Sequence, residues 1–298
     1  MANRLIKSIL KPVILKKNEK YLKNYYQKIS NEENIAEDEI PKDKNILIIS
    51  PHQDDESIGM GGTILKLKEN NCYIKVLYIT DGRLDRENLD ENEISKVRIK
   101  EAEKALKILG VDEFSYLKCK NCEVMDNIEN ISYELIPIIE EKDYDRIYTT
   151  ALSEYHKDHR GATIALSKAL EKCDFSGKIY LYEINNSLMK GSFNRYVSFS
   201  KEIYNKKEKA FMEYKSQTGI NFEVVEMIGK GKAQLSREKD DSAEIFLEIN
   251  KENLKKSANE NLEVFDNMKN ATNFFRLIDN YNNNEKYVSK IKELYTNN

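Results

Sequence analysis

Every histidine in this 298-residue chain falls in one of two short acidic segments. His52 sits in Ser50-Pro51-His52-Gln53-Asp54-Asp55-Glu56, and the other two in Tyr155-His156-Lys157-Asp158-His159. Imidazole nitrogens mixed with carboxylate oxygens suit a borderline metal such as zinc. A carboxylate left over from coordination can take a proton from water. A lone histidine is more often a surface or hydrogen-bonded residue than a ligand, and an acidic run is more often a solvated face or a helix N-cap. What raises both segments above that background is where the elements put them.

Asn45–Ile49, apolar from Ile46 onward, is a short run of the kind buried in a parallel sheet, and His52 follows it closely. Asp145–Thr149 reads as another strand, followed by His156 and His159. Between and after them the pattern alternates. Ser57–Glu69 is helical, Tyr73–Thr80 a strand, and Arg98–Leu109 a helix stopped by Gly110. Ile131–Glu141 and Ala162–Lys172 are helical, and Lys178–Ile184 is a strand. Repeated βα units predict an α/β fold with a doubly wound, mostly parallel, Rossmann-like sheet. In such sheets ligands bind outside the carboxyl ends of the strands, near the point where strand order reverses, so both histidine segments belong at one edge.

Two helical appendages flank this core, giving an expected division into 1–43, 44–250 and 251–298. Residues 1–30 hold eight basic residues and one acid, Glu19, with Leu5, Ile6, Ile9, Leu10, Val13 and Ile14 in a helical stripe that Pro12 should kink or end. That stripe suits either peripheral contact with an anionic membrane or packing on the protein's own core or on a second subunit of a homo-oligomer. Asn31–Asp43 is acidic and polar and reads as a linker; beyond residue 250 the chain is rich in Asn, Lys and Glu.

The 48 basic and 51 acidic residues nearly cancel, which argues against a nucleic-acid partner. With 11 Gly and 4 Pro the chain is neither collagen-like nor a low-complexity coil. Cys72, Cys119, Cys122 and Cys173 do not make a disulfide scaffold, and Cys119-Lys120-Asn121-Cys122 has no second pair to complete a zinc site. No apolar run reaches the 18 or so residues that span a bilayer. Lys7 and Lys11 interrupt the stretch that otherwise imitates a signal sequence, so a cytoplasmic location is expected, with membrane association at the inner face if the stripe is used that way. Gly59-Met60-Gly61-Gly62 fails as a dinucleotide fingerprint on spacing and on the acidic residues before it; close helix–strand approach is the better reason for those glycines.

His52-Gln53-Asp54-Asp55-Glu56 followed by Gly59-Met60-Gly61-Gly62-Thr63 resembles the H-P-D-D-E…G-x-G-G-T signature of the PIG-L (LmbE-like) deacetylases. Further pieces follow in the family's order: Thr80-Asp81-Gly82, Arg98…Glu101-Ala102…Leu109-Gly110, His156-Lys157-Asp158-His159, Lys207…Ala210…Tyr214…Ser216-Gln217 and Ala243-Glu244-x-Phe246. The resemblance spans roughly residues 44–248 and implies a zinc-dependent hydrolase removing acetyl from an N-acetylglucosamine-type conjugate, a small amino-sugar partner. Carried over by position, His52, Asp55 and His159 would hold zinc, or another divalent metal. Asp54 would be the general base, His156 would assist at the oxyanion or leaving amine, and Asp158 would orient His156. Two histidines and one aspartate leave a coordination position for water, as a catalytic site requires.

Two departures stand out. Gln53 replaces the family's proline, which relaxes the loop around Asp54. Where some members have a tyrosine two residues before the first histidine of the second segment, Glu154 stands here, with Tyr155 one residue late. Asp81, Arg83 and Arg98 are candidates for sugar hydroxyls or a phosphate, although Arg98 equally suits an i,i+3 pair with Glu101 on a helix surface. A metal-dependent amidase for another acyl group or a non-sugar amine competes with the deacetylase reading. So does a metal-holding α/β binding module without activity, which the ligand-plus-base set counts against.

Overall fold

The computed structural model describes residues 2–83, 90–185, 188–217, 221–238 and 240–296, with side chains from Leu10 to Tyr295. Leu5, Ile6 and Ile9 of the N-terminal stripe lie outside the described side chains. The chain opens with a long helix, α1 (Ala2–Glu32), and a two-residue strand, β1 (Ala36–Glu37). There follow β2 (Asn45–Ser50), α2 (Asp55–Glu69), β3 (Tyr73–Thr80), α3 (Glu91–Leu109) and β4 (Glu113–Cys119). Next come α4 (Ile128–Glu140), β5 (Arg146–Thr150), α5 (Lys157–Leu170) and β6 (Lys178–Tyr182). β7 (Arg195–Phe199), α6 (Lys201–Phe211), α7 (Phe222–Lys232) and β8 (Ser242–Ile249) complete the sheet and its cover, and α8 (Lys251–Ala258), α9 (Leu277–Asn284) and α10 (Val288–Thr296) end the chain.

The strands form one eight-stranded sheet in the order β1-β7-β8-β6-β5-β2-β3-β4. All neighbours are parallel except β6–β8 and β7–β8. From β2 the chain winds outward through β3 and β4, then returns to place β5 on the other flank of β2. The crevice of the doubly wound sheet therefore opens beyond β2 and β5, with His52 in the loop after β2, His156 at the N-cap of α5 and His159 in its first turn. Side-chain alternation along β2 feeds two cores: Leu47 and Ile49 pack on the face covered by α4 and α5, Ile46 and Ile48 on the face covered by α2 and α3.

Both appendages pack on the α4–α5 side. α1 continues through Pro12 instead of ending there, because the buried residues that anchor it come later: Leu22, Tyr26 and Ile29 sit against the core and Tyr21 and Tyr25 pack edge-on to Tyr281 of α9. Leu10 and Val13 are exposed. The stretch expected as a plain linker contains β1, and Asp38 within it is buried against the Arg146 guanidinium.

Candidate metal centre and active site

The loop after β2 is bent sharply. Asp54 adopts φ 118°, ψ −28°, left-handed backbone that a non-glycine residue occupies at a cost of about 1–3 kcal/mol. This turn lets adjacent carboxylates take different directions. Asp55 begins α2 and accepts the His52 backbone N–H at 2.9 Å, while Asp54 lines the cavity beside it. The Gln53 side chain donates to Thr80 O at 2.8 Å, and its carbonyl accepts from Gln217 Nε2 at 3.0 Å. These bonds hold the loop that a proline would otherwise stiffen. Glu56 is spent on structure, accepting from Ser57 and Tyr214 hydroxyls at 2.6 Å each.

Three acceptor atoms converge here. His52 Nδ1 lies 3.2 Å from Asp55 Oδ2 and 3.2 Å from His159 Nε2, and His159 Nε2 lies 3.3 Å from Asp55 Oδ2. Ligands about 2.1 Å from a tetrahedral zinc stand about 3.4 Å from one another. The opposite imidazole nitrogens face carboxylates. His52 Nε2 donates to Asp158 Oδ2 at 3.0 Å, and His159 Nδ1 faces Glu154 Oε2 at 3.6 Å. With their protons on those sides, both rings turn a bare nitrogen inward, the arrangement that orients metal-ligating histidines. Three lone pairs at this spacing repel unless a cation sits among them, so the donor set fits a divalent metal. His156 adds a third ring nitrogen to the cluster, its ring 4.9 Å from those of both His52 and His159.

The electrostatics agree. Burial alone would lower both inward-facing histidines, but Asp55 and Glu154 outweigh it at His159 and push its pKa up to about 10; at His52, Asp158 and Asp55 turn the shift upward. The pocket thus favours positive charge. Burial, with Asp55 and Glu56 nearby, raises Asp54 well above the ordinary carboxylate range. Burial and the neighbouring His159 and His52 lower His156 to about 4, so it is neutral near pH 7. His156 Nδ1 accepts the Asp158 N–H at 3.3 Å, which leaves Nε2 to carry the proton.

Asp158 touches His156 only through that backbone N–H. Its carboxylate is turned to His52 and is held by the N–H groups of Cys122 and Val124 at 2.6 and 3.2 Å. Arg98 is buried, not on a helix surface, and lines the cavity, donating to Gly82 O and Gln217 Oε1. Glu101 instead binds Ser216. Asp81 and Arg83 pair with each other at 2.8 Å, and Arg83 reaches Lys118 O, away from the cavity lining. Glu154, marked in the sequence only as a departure from the family's tyrosine, turns its carboxylate to His159 while accepting Ile184 and Asn185 N–H groups. Asn185 and Asn270, which no sequence motif singled out, also stand in the cavity wall. The cavity measures about 300 Å³. A larger cleft of about 560 Å³ lies at the amino ends of β2, β5 and β6, the wrong end of a parallel sheet for a ligand.

Comparison with known proteins agrees with this geometry. Residues 47–170 match the PIG-L family, described as GlcNAc-PI de-N-acetylase. A diacetylchitobiose deacetylase of Thermococcus kodakarensis is 29% identical over 139 residues, 45% of this chain and 51% of that protein, so the match spans about half the relative's length. The uncharacterized deacetylase YaiS of Escherichia coli is 25% identical over 182 residues, 59% of this chain and 92% of that protein. Among solved structures, the N,N′-diacetylchitobiose deacetylase of Pyrococcus horikoshii superposes with a TM-score of 0.59 at 23% identity, covering 70% of this chain and 84% of that one, a likeness of fold. The segment that matches the PIG-L family is the one that carries both histidine clusters.

Proposed function

We propose that this protein is a zinc-dependent de-N-acetylase that hydrolyses the acetamide of an N-acetylglucosamine-type conjugate. One observation carries the reading: the mutual 3.2–3.3 Å approach of His52 Nδ1, His159 Nε2 and Asp55 Oδ2, with Asp54 beside them. His52, Asp55 and His159 would hold the metal, which when bound supplies Lewis acidity that lowers the pKa of water towards ~7 and polarises the acetyl carbonyl. Asp54 takes the proton of the attacking water. His156, neutral and protonated on Nε2, donates a hydrogen bond to the oxygen that gains charge as the carbonyl carbon becomes tetrahedral. The C–N bond breaks as Asp54 returns its proton to the nitrogen, giving acetate and the free amine. Asp158 and Glu154 keep the two ligand rings aimed, and Arg98 supplies a cation at the cavity wall for a sugar hydroxyl or phosphate. Asp81 and Arg83 would support the loop beneath it. Acetate release from a panel of N-acetylglucosamine conjugates, with metal content measured on the same sample, tests the reading. Release of acetate from none of them by zinc-loaded protein would overturn it.

The appendages invite two smaller proposals. We assign residues 1–43 and 251–298 as additions to a deacetylase domain of residues 44–250. The outer side of α1, with Lys16, Lys17, Lys20 and Lys23 exposed beside Val13, suits reversible contact with an anionic membrane, each cation adding ~1 kcal/mol. No helix among the described residues is long and apolar enough to cross a membrane. The four free cysteines accord with a reducing, cytoplasmic compartment.

A further inference from the structure

The Asn-rich C-terminal appendage reaches into the active-site cavity. Asn270 lies on the connection between α8 and α9, yet it lines the cavity with His156 and Tyr155. Its side-chain oxygen is committed to Thr272, accepting from the backbone N–H at 2.7 Å and the hydroxyl at 2.5 Å. That fixes the orientation of the amide, so Nδ2 points to the Tyr155 hydroxyl at 3.4 Å. The loop is clamped from α9: Asn280 donates to Asn270 O at 2.6 Å, and the Asn284 amide bonds both the N–H and the carbonyl of Lys269. The same appendage grips the histidine loop. Asp266 pairs with the buried Arg160, which donates to the carbonyls of Glu154 and Tyr155 at 2.7 and 3.2 Å.

Such fixation suits recognition, since an amide held from behind loses little entropy when it binds. Asn270 is one layer away from the chemistry: its partner Tyr155 has its ring 6.3 Å from that of His156, itself 4.9 Å from His52. It also stands on the β5–β6 side of the crevice, whereas Arg98 and Gln217 wall the β3 side. We infer that Asn270 and Tyr155 are specificity-determining residues, a donor pair that hydrogen-bonds an oxygen of the substrate beyond the acetylated sugar, so that the appendage selects a glycoside over the free monosaccharide. This rests on the deacetylase reading. The Tyr155 hydroxyl, accepting from Asn270 Nδ2, keeps its own proton for the ligand.

The test compares acetate release from N-acetylglucosamine and N,N′-diacetylchitobiose by zinc-loaded wild type, Asn270→Asp, Asn270→Ala and Tyr155→Phe. Asn270→Asp retains the oxygen that Thr272 needs and puts a carboxylate oxygen where the donor stood, and Asn270→Ala removes the donor without adding charge. The expected result is a loss of about tenfold in kcat/KM for the disaccharide, carried by KM, with the monosaccharide changed less than about twofold and zinc content and melting temperature unaltered. Unchanged disaccharide kinetics in Asn270→Asp, or an equal loss on both sugars, overturns the inference and leaves the deacetylase reading standing. Wild type that releases acetate from neither sugar brings down both.

Discussion

Asp158 Oδ2 lies 3.0 Å from His52 Nε2, joining the loop after β5 to the loop after β2 across 106 residues of sequence. The carboxylate does not float there; the backbone N–H groups of Cys122 and Val124 pin it. Removing it frees the His52 ring to rotate and to adopt either tautomer. Asp158→Ala should therefore weaken zinc binding by ~10–100-fold, as loss of such an orienting partner typically does. Competition against a chelator of known affinity measures this, and unchanged affinity would exclude the orienting role.

Asp54 is the carboxylate left over from coordination, raised by burial and by Asp55 and Glu56. Asp54→Asn should keep the metal and lose ~10²–10⁴-fold in turnover. Near-normal acetate release by the variant would remove Asp54 from the role of base.

Glu154 gives a pH signature in stability. Burial pushes its pKa up, but His159 and the Asn185 and Ile184 N–H groups together bring it below the ordinary glutamate value. A carboxylate lowered on folding contributes stability that is present above its unfolded pKa of ~4.3 and lost as pH falls through the lower folded value. With chelator present, Glu154→Gln should be less stable than wild type by about 1–3 kcal/mol at pH 7, the gap closing below pH ~4. A gap in urea midpoint that stays constant down to pH 3 would contradict this.

Gly62 of α2 faces the Phe199 ring of β7 so closely that a methyl group would overlap it, while its N–H donates to Glu244 Oε1 at 2.9 Å. Gly62→Ala should cost about 1–3 kcal/mol through overpacking, read as a fall in melting temperature. An unchanged melting temperature would mean that the helix moves away freely.

The N-terminal helix has a simple assay. Flotation with anionic liposomes should show binding at low salt that weakens at high salt and vanishes when residues 1–30 are deleted. Full-length protein that stays unbound at low salt would confine α1 to its packing on Tyr281 and α7.

The central strands and the histidine segments were legible because apolar runs such as Ile46–Ile49 are buried on both faces and admit little else. β4 and β8 escaped notice, since Glu113–Cys119 is only partly buried at a sheet edge and Ser242–Ile249 is antiparallel, with Glu244 turned inward to Lys207 and Gly62. Tertiary pairing decides such strands, and local pattern does not. In the site, the types and spacing of His52, Asp54 and Asp55 announced metal chemistry, but the partner of Asp158 did not follow from its neighbours. The family resemblance implied His156; the turn into α5 sends the carboxylate to His52. Asn270 was hidden for a plainer reason: an Asn-rich tail carries no periodic signal, and only the fold brings it to the cavity.

The three-atom centre of His52, Asp55 and His159 is where the proposed chemistry begins. Metal content of purified wild type and His159→Ala by elemental mass spectrometry tests it. One zinc per chain in the wild type, lost from the variant because three protein ligands become two, is the predicted result. Undiminished zinc stoichiometry in His159→Ala would contradict it.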